Sequence, residues 1–242
     1  MKRQLATEGK CTYCLQSFSK NTIGKHLLSC KVRQGYFADL LQKDDDSSKD
    51  TKKSTININI FLLKIFSPGQ PEYWLFVELS DNCLLSDFDS FLREIWLECC
   101  GHLSSFTIND QTYESQIDEF TRNSKTIRIK LNKILQTDMS FEYIYDYGSS
   151  TELTIKVISF LPSIINNKEK LIKIASRNND LQFKCIKCEK EKATEICAVC
   201  LYEEGRIHSS FCKKCIKQHK CGEEMALPIT NSPRSGICGY TG

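Results

Sequence analysis

No apolar stretch in this chain of 242 residues is long enough to cross a bilayer, which takes about 20 apolar residues in a row. The best run, TININIFLLKIF at 55–66, alternates polar and apolar residues and then stops. The opening MKRQLATEGK has no apolar core of the kind a secretory leader carries. A secreted disulfide framework is therefore not expected, although the chain holds 14 cysteines. In a reducing compartment, paired cysteines point to metal, and the expected compartment is the cytoplasm, with no membrane partner.

Charge of one sign is also scarce: 33 Lys and Arg face 30 Asp and Glu, for a net +3. The balance conceals a division. Residues 1–35 hold seven basic groups against one Glu, residues 55–163 eight against fifteen acids, and residues 164–242 fourteen against nine. Basic ends thus flank an acidic middle. Loading zinc onto thiolates lowers the charge of the first segment to about +5 and of the last to about +2, so the N-terminal end is the better candidate for a polyanion partner.

What the chain has is ligand spacing. Cys11, Cys14, His26 and Cys30 form one complete tetrahedral set near the start. Cys185, Cys188, Cys197, Cys200, Cys212, Cys215, His219 and Cys221 come as three CxxC pairs and an HxC, enough for two more. Three zinc ions are expected. In the first set, Asn21 is the expected cap of a helix that places His26 and Cys30 on one face, with Phe18, Ile23 and Leu27 as a small core. The pattern resembles a ββα zinc finger with a final Cys and a loop one residue short of the common twelve. Lys20, Lys25, Lys31 and Arg33 lie on or beside that helix and are the candidate phosphate contacts.

Between the ligand sets, 36–54 reads as a flexible charged linker after a short GYFADLLQ helix. Residues 55–163 read as an α+β domain, a central mixed sheet with a packed helix. TININIFLLKIF and YWLFVEL form a hairpin. SDFDSFLREIWLEC is an amphipathic helix capped at Ser86, SSFTIN and KTIRIKL are strands, and FEYIYDYG and TELTIKVIS make a second hairpin. Residues 164–182 read as a connecting basic helix, and 183–242 as a two-zinc module with an ordered tail.

The middle segment resembles the plasmid ORF-three-like domain family. The likeness rests on Gly101-His102-Leu103-Ser104-Ser105-Phe106-Thr107-Ile108 after the helix and on Tyr145-Asp146-Tyr147-Gly148. Tyr147 stands where members have Phe, and Thr151-Glu152-Leu153 where many have Trp-Glu-His. The resemblance implies a fold and a link to mobile elements, with a resolvase-like (TnpR-like) label. Residues 55–163 contain only three arginines, Arg93, Arg122 and Arg128, and no recombinase set of Arg, His and Tyr.

Two connections fit the last eight ligands. Sequentially, Cys185/Cys188/Cys197/Cys200 share one ion and Cys212/Cys215/His219/Cys221 the other. Cross-braced, Cys185/Cys188 join Cys212/Cys215 while Cys197/Cys200 join His219/Cys221, and the order resembles the cross-braced MYND and B-box modules. Outside the sets, Cys83, Cys99 and Cys100 read as core or loop thiols, with a metal role for Cys99, Cys100 and His102 as the alternative. Cys238 is a rival ligand to Cys221, and the tail could present Arg234 and Tyr240. Glu142, Asp146 and Glu152 are candidate acids, and Cys100, His102, Asp146 and Glu152 a candidate core pocket. Three functions fit these features. The first is a non-enzymatic zinc protein touching nucleic acid through its finger and protein through its last module. The others are a protein-only adaptor and a metal-dependent enzyme on nucleic acid or another phosphoester.

Overall fold

The computed structural model describes residues 7–42, 55–119, 121–166 and 170–242. Most of the expected 36–54 linker lies outside them. The chain divides into two compact units: Met1–Phe91 with Leu103–Ile144 and Glu152–Asn179, and Leu92–His102 with Tyr145–Thr151 and Asp180–Gly242. Among the described residues, no helix is long and apolar enough to cross a membrane.

The first unit is α+β. Its strands are β1 (Glu8–Cys11), β2 (Ser17–Ser19), β3 (Thr55–Phe66), β4 (Trp74–Ser80), β5 (Ser104–Ile108), β6 (Gln111–Glu114), β7 (Lys125–Thr126), β8 (Ser140–Tyr145), β9 (Thr151–Asn166) and β10 (Ile172–Asn178). They form one sheet in the order β2-β1-β10-β4-β3-β9-β8-β5-β6-β7. Pairing is antiparallel from β2 across to β9, and parallel between β6 and β7, so the sheet is mixed. The helices are α1 (Ile23–Ser29), α2 (Lys31–Gln42) and α3 (Leu85–Leu92). Ile60 to Leu63 of β3 and every residue of β4 are buried. Strict alternation gives way here because both strands are central to the sheet.

Several elements differ from expectation. The described residues of 164–182 form no helix: β9 runs on to Asn166, and β10 pairs with β4 on one side and β1 on the other. Ile172 and Ile174 flank Lys173, a spacing compatible with either period, and two partner strands settle it as a strand. KTIRIKL shrinks to the two residues of β7 plus a 3-10 turn at Leu131–Lys133. SSFTIN is β5, and it turns at Asn109-Asp110 (φ 49° and 62°) into β6, completing a hairpin. Helix α3 begins at Leu85, where Asp87 Oδ2 accepts the Leu84 N–H at 2.7 Å; Asp87 rather than Ser86 makes the cap. A π-helical turn, Arg93–Leu97, follows, closed by Glu98 N–H donating to Arg93 O at 2.8 Å.

The N-terminal segment is stitched into this sheet. Gly9–Cys11 pairs with Ser176–Asn178, and Thr12 N–H donates to Ala175 O at 3.0 Å. Ile23 and Leu27 of α1 share one apolar cluster with Leu62, Trp74, Phe76 and Ala175. Gly9 is required by this approach: a Cβ there would stand 2.1 Å from Arg177 O and 2.6 Å from the Trp74 ring. Thr22, not Asn21, precedes the first turn of α1. Glu78 on β4 accepts from Arg33 Nε at 2.5 Å, and the Tyr13 hydroxyl also bonds this carboxylate. Both members of the ion pair are buried.

The second unit has a small sheet, β12 (Ser210–Phe211), β11 (Glu195–Cys197) and β13 (Ala226–Pro228), and two short helices, α4 (Ala198–Glu204) and α5 (Lys213–Ile216). Its core cluster is Cys185, Cys197, Cys200, Phe211, Cys212 and Ile216, mostly sulfur rather than hydrocarbon. The tail does not present Arg234 and Tyr240, because both are buried. Ser232 Oγ donates to Trp96 O at 2.6 Å, and the Trp96 indole donates to Asn231 O at 3.0 Å.

Candidate metal centres

A tetrahedral ion with Zn–S bonds of about 2.3 Å and Zn–N bonds of about 2.0–2.1 Å sets its sulfurs about 3.8 Å apart, and sulfur from nitrogen about 3.5 Å. A disulfide would need about 2.05 Å. The donor atoms of Cys11, Cys14, His26 and Cys30 lie within 4.8 Å of one another. Cys11 and Cys30 sulfurs are 4.0 Å apart, and Cys14 Sγ is 3.2 Å from His26 Nε2. These separations match the edges of such a tetrahedron. The set is built locally. The CxxC turn closes through Leu15 N–H to Cys11 O at 2.9 Å, with Leu15 left-handed at φ 62°. Phe18 stacks on the His26 ring at 3.8 Å between centroids. Burial holds the His26 imidazole below its usual value, favouring the neutral form that ligates.

The last eight ligands converge in the interleaved arrangement. Cys185, Cys188, Cys212 and Cys215 form one set, and Cys197, Cys200, His219 and Cys221 the other. Cys200 Sγ is 3.2 Å from His219 Nε2 and 3.9 Å from Cys221 Sγ. Cys185 opens a turn like that at Cys11, with Glu189 N–H on Cys185 O at 2.8 Å and Glu189 at φ 55°. Burial pushes the Cys185 thiol up, but backbone amide bonds from Cys212, Cys188 and Lys187 outweigh it and bring it to about 6. Cys200 and Cys215 go the other way, to about 12, burial and neighbouring thiols both raising them. Phe211 covers His219 at 4.3 Å, as Phe18 covers His26.

The remaining candidate residues divide. Arg33 is 1% exposed and spent on Glu78 and on Leu27 O, so it is no phosphate contact. Lys20 Nζ donates to Pro71 O at 2.5 Å; only Lys25 and Lys31 are exposed. Cys83 is a buried core thiol, 3.2 Å from Ser80 Oγ. Glu142 and Glu152 are exposed, and neither joins a ligand group. Cys100, His102 and Asp146 do come together: His102 Nε2 is 3.0 Å from Cys100 Sγ and 3.4 Å from Asp146 Oδ2. The core reading of Cys100 therefore fails, because Cys100 is exposed. Cys238 stands beside Cys100, not Cys221. The sequence signal for that convergence was the CCxH string and one unassigned tail cysteine.

Fold and sites together define an α+β sheet protein carrying Cys/His groups that could hold metal ions. The chain belongs to the Plasmid pRiA4b ORF-3-like protein family, whose model matches residues 56–179. The match takes in β10, beyond the segment that carries the sequence resemblance. A solved structure, a protein of unknown function, MM3350 from Methanosarcina mazei Go1, is similar at 17% identity with a TM-score of 0.42, covering 50% of this chain and 71% of that one. No curated protein matches the chain.

Proposed function

We propose that this is a zinc-dependent, non-enzymatic interaction protein, in which the C-terminal unit presents a protein-binding surface. The observation that carries this is closure. Each of the three sets supplies four protein donors, leaving no position for substrate or water, the arrangement of structural rather than catalytic zinc. The C-terminal unit also exposes large apolar side chains, Ile186, Tyr202 and Met225, with Tyr202 93% exposed. Exposed aromatics of this kind anchor protein interfaces.

The direct test is cobalt(II) substitution. Tetrahedral thiolate bands that do not move when azide is added support closed sites; bands that shift reveal an open position and sink the reading. For the partner, affinity capture with wild-type, Cys197→Ala and Tyr202→Ala protein separates the possibilities. Loss in both variants assigns binding to this surface, and retention in Tyr202→Ala removes it.

A second reading, nucleic-acid contact through the N-terminal finger, keeps support from Lys25 and Lys31 alone. Affinity for DNA or RNA that is absent at low salt, or does not weaken as salt rises, removes it.

A further inference from the structure

We infer that Cys99, Cys100, His102 and Cys238 form a fourth metal site, a Cys3His set for a zinc-class divalent cation, more accessible than the three structural sets. All four residues belong to the second unit, and their donor atoms lie within 4.8 Å of one another. Sulfur separations are 3.7 Å for Cys99–Cys100 and 3.8 Å for Cys100–Cys238, tetrahedral edges and far from a disulfide. His102 Nε2 closes the figure at 3.0 Å from Cys100 and 3.2 Å from Cys238.

The backbone is arranged to gather these donors. Gly101, at φ 76°, folds His102 back over Cys100. Cys238 itself is left-handed at φ 50°, between Gly236 and Gly239, both also at positive φ. A non-glycine residue in that region is strained, so the tail spends conformational energy to hold Cys238 there. Its sulfur meets donors more than a hundred residues away in sequence.

The surroundings suit a thiolate-rich ion. Arg234, with no exposed surface, donates to Cys99 Sγ at 3.4 Å and to Asp146 Oδ2 at 2.7 Å, and its other nitrogen bonds Ser149 O and Thr151 Oγ1. Three thiolates and one divalent ion leave a net −1, and the guanidinium offsets one of the two negative charges that this set and Asp146 make together. Asp146 is fixed by Arg234 and by the Gly148 and Ser149 amides, and its Oδ2 stands 3.4 Å from His102 Nε2, beside the set. Cys100 and Cys238 are exposed, whereas each structural set buries at least two of its donors. Exchange at this site should be correspondingly faster.

The test is metal titration of the reduced full-length chain, comparing wild type with Cys238→Ser and Cys100→Ser by native mass spectrometry. Both substitutions are at exposed positions and should leave the fold intact, which amide exchange checks. Wild type should hold one zinc more than either variant, and that ion should leave first as chelator is raised. Equal stoichiometry in wild type and variants overturns the site. So does a native wild type whose Cys100 is disulfide-bonded to Cys99 or Cys238. Because the readout is a difference of one ion between variants, it stands apart from the count in the other three sets.

Discussion

The N-terminal set and the C-terminal set of Cys197, Cys200, His219 and Cys221 use the same Cys3His donors and the same Phe-over-His packing, yet they rest on different supports. Cys11 and Cys30 sit in an apolar cluster with Leu62, Trp74 and Phe76, against a sheet that buries its own core. The C-terminal sets are their own core, with cysteine sulfurs in place of aliphatic side chains. In the first unit the proposed metal would add to a fold that hydrophobic burial already supports. In the cluster around Cys185–Cys221, which holds little buried hydrocarbon of its own, the proposed metal would be the main cohesive term.

Metal removal breaks the comparison most strongly. Structural zinc contributes about 10–16 kcal/mol of apparent folding energy in small domains. Chelation should therefore abolish amide protection across residues 195–228 while β3, β4 and β9 stay protected. Cys197→Ser should cost two ions rather than one, since interleaved sets fail together; Cys11→Ser should cost one and leave the sheet standing. Uniform loss of protection in both units would contradict the difference in support.

Next in size is the buried ion pair that ties α2 to β4. Glu78→Ala strands the Arg33 guanidinium and should destabilise the first unit by about 3–5 kcal/mol in denaturant unfolding, with zinc in the C-terminal sets unchanged. Gly9→Ala forces β1 off β10 and should cost about 1–3 kcal/mol, weakening the Cys11 set alongside. The smallest effects belong to Lys25→Ala and Lys31→Ala, each within about 0.5 kcal/mol of wild-type stability. If the finger touches phosphate, each should lower the salt slope of nucleic-acid binding by about 1.

The grouping of the Cys and His residues and the fold class were legible in the sequence because ligand spacing and strand alternation are local signals. The mixed α+β sheet followed from β3, β4, α3 and the β8–β9 pair, all strongly patterned. What escaped was set by distant partners. β10 carries a pattern that suits helix or strand, and only β1 and β4 decide between them. Arg33 reads as a surface cation until Glu78, 45 residues away, claims it. Cys238 has no ligand spacing at all, and its neighbours Cys100 and His102 are brought to it by the fold.

The most direct test of the account is the metal and thiol state of the intact reduced chain by native mass spectrometry after mild chelation. Three retained zinc ions, with Cys11, Cys14, Cys30, Cys185, Cys188, Cys197, Cys200, Cys212, Cys215 and Cys221 protected from alkylation, is the predicted result. A metal-free chain with those ten thiols freely alkylated and the C-terminal unit still folded would contradict it.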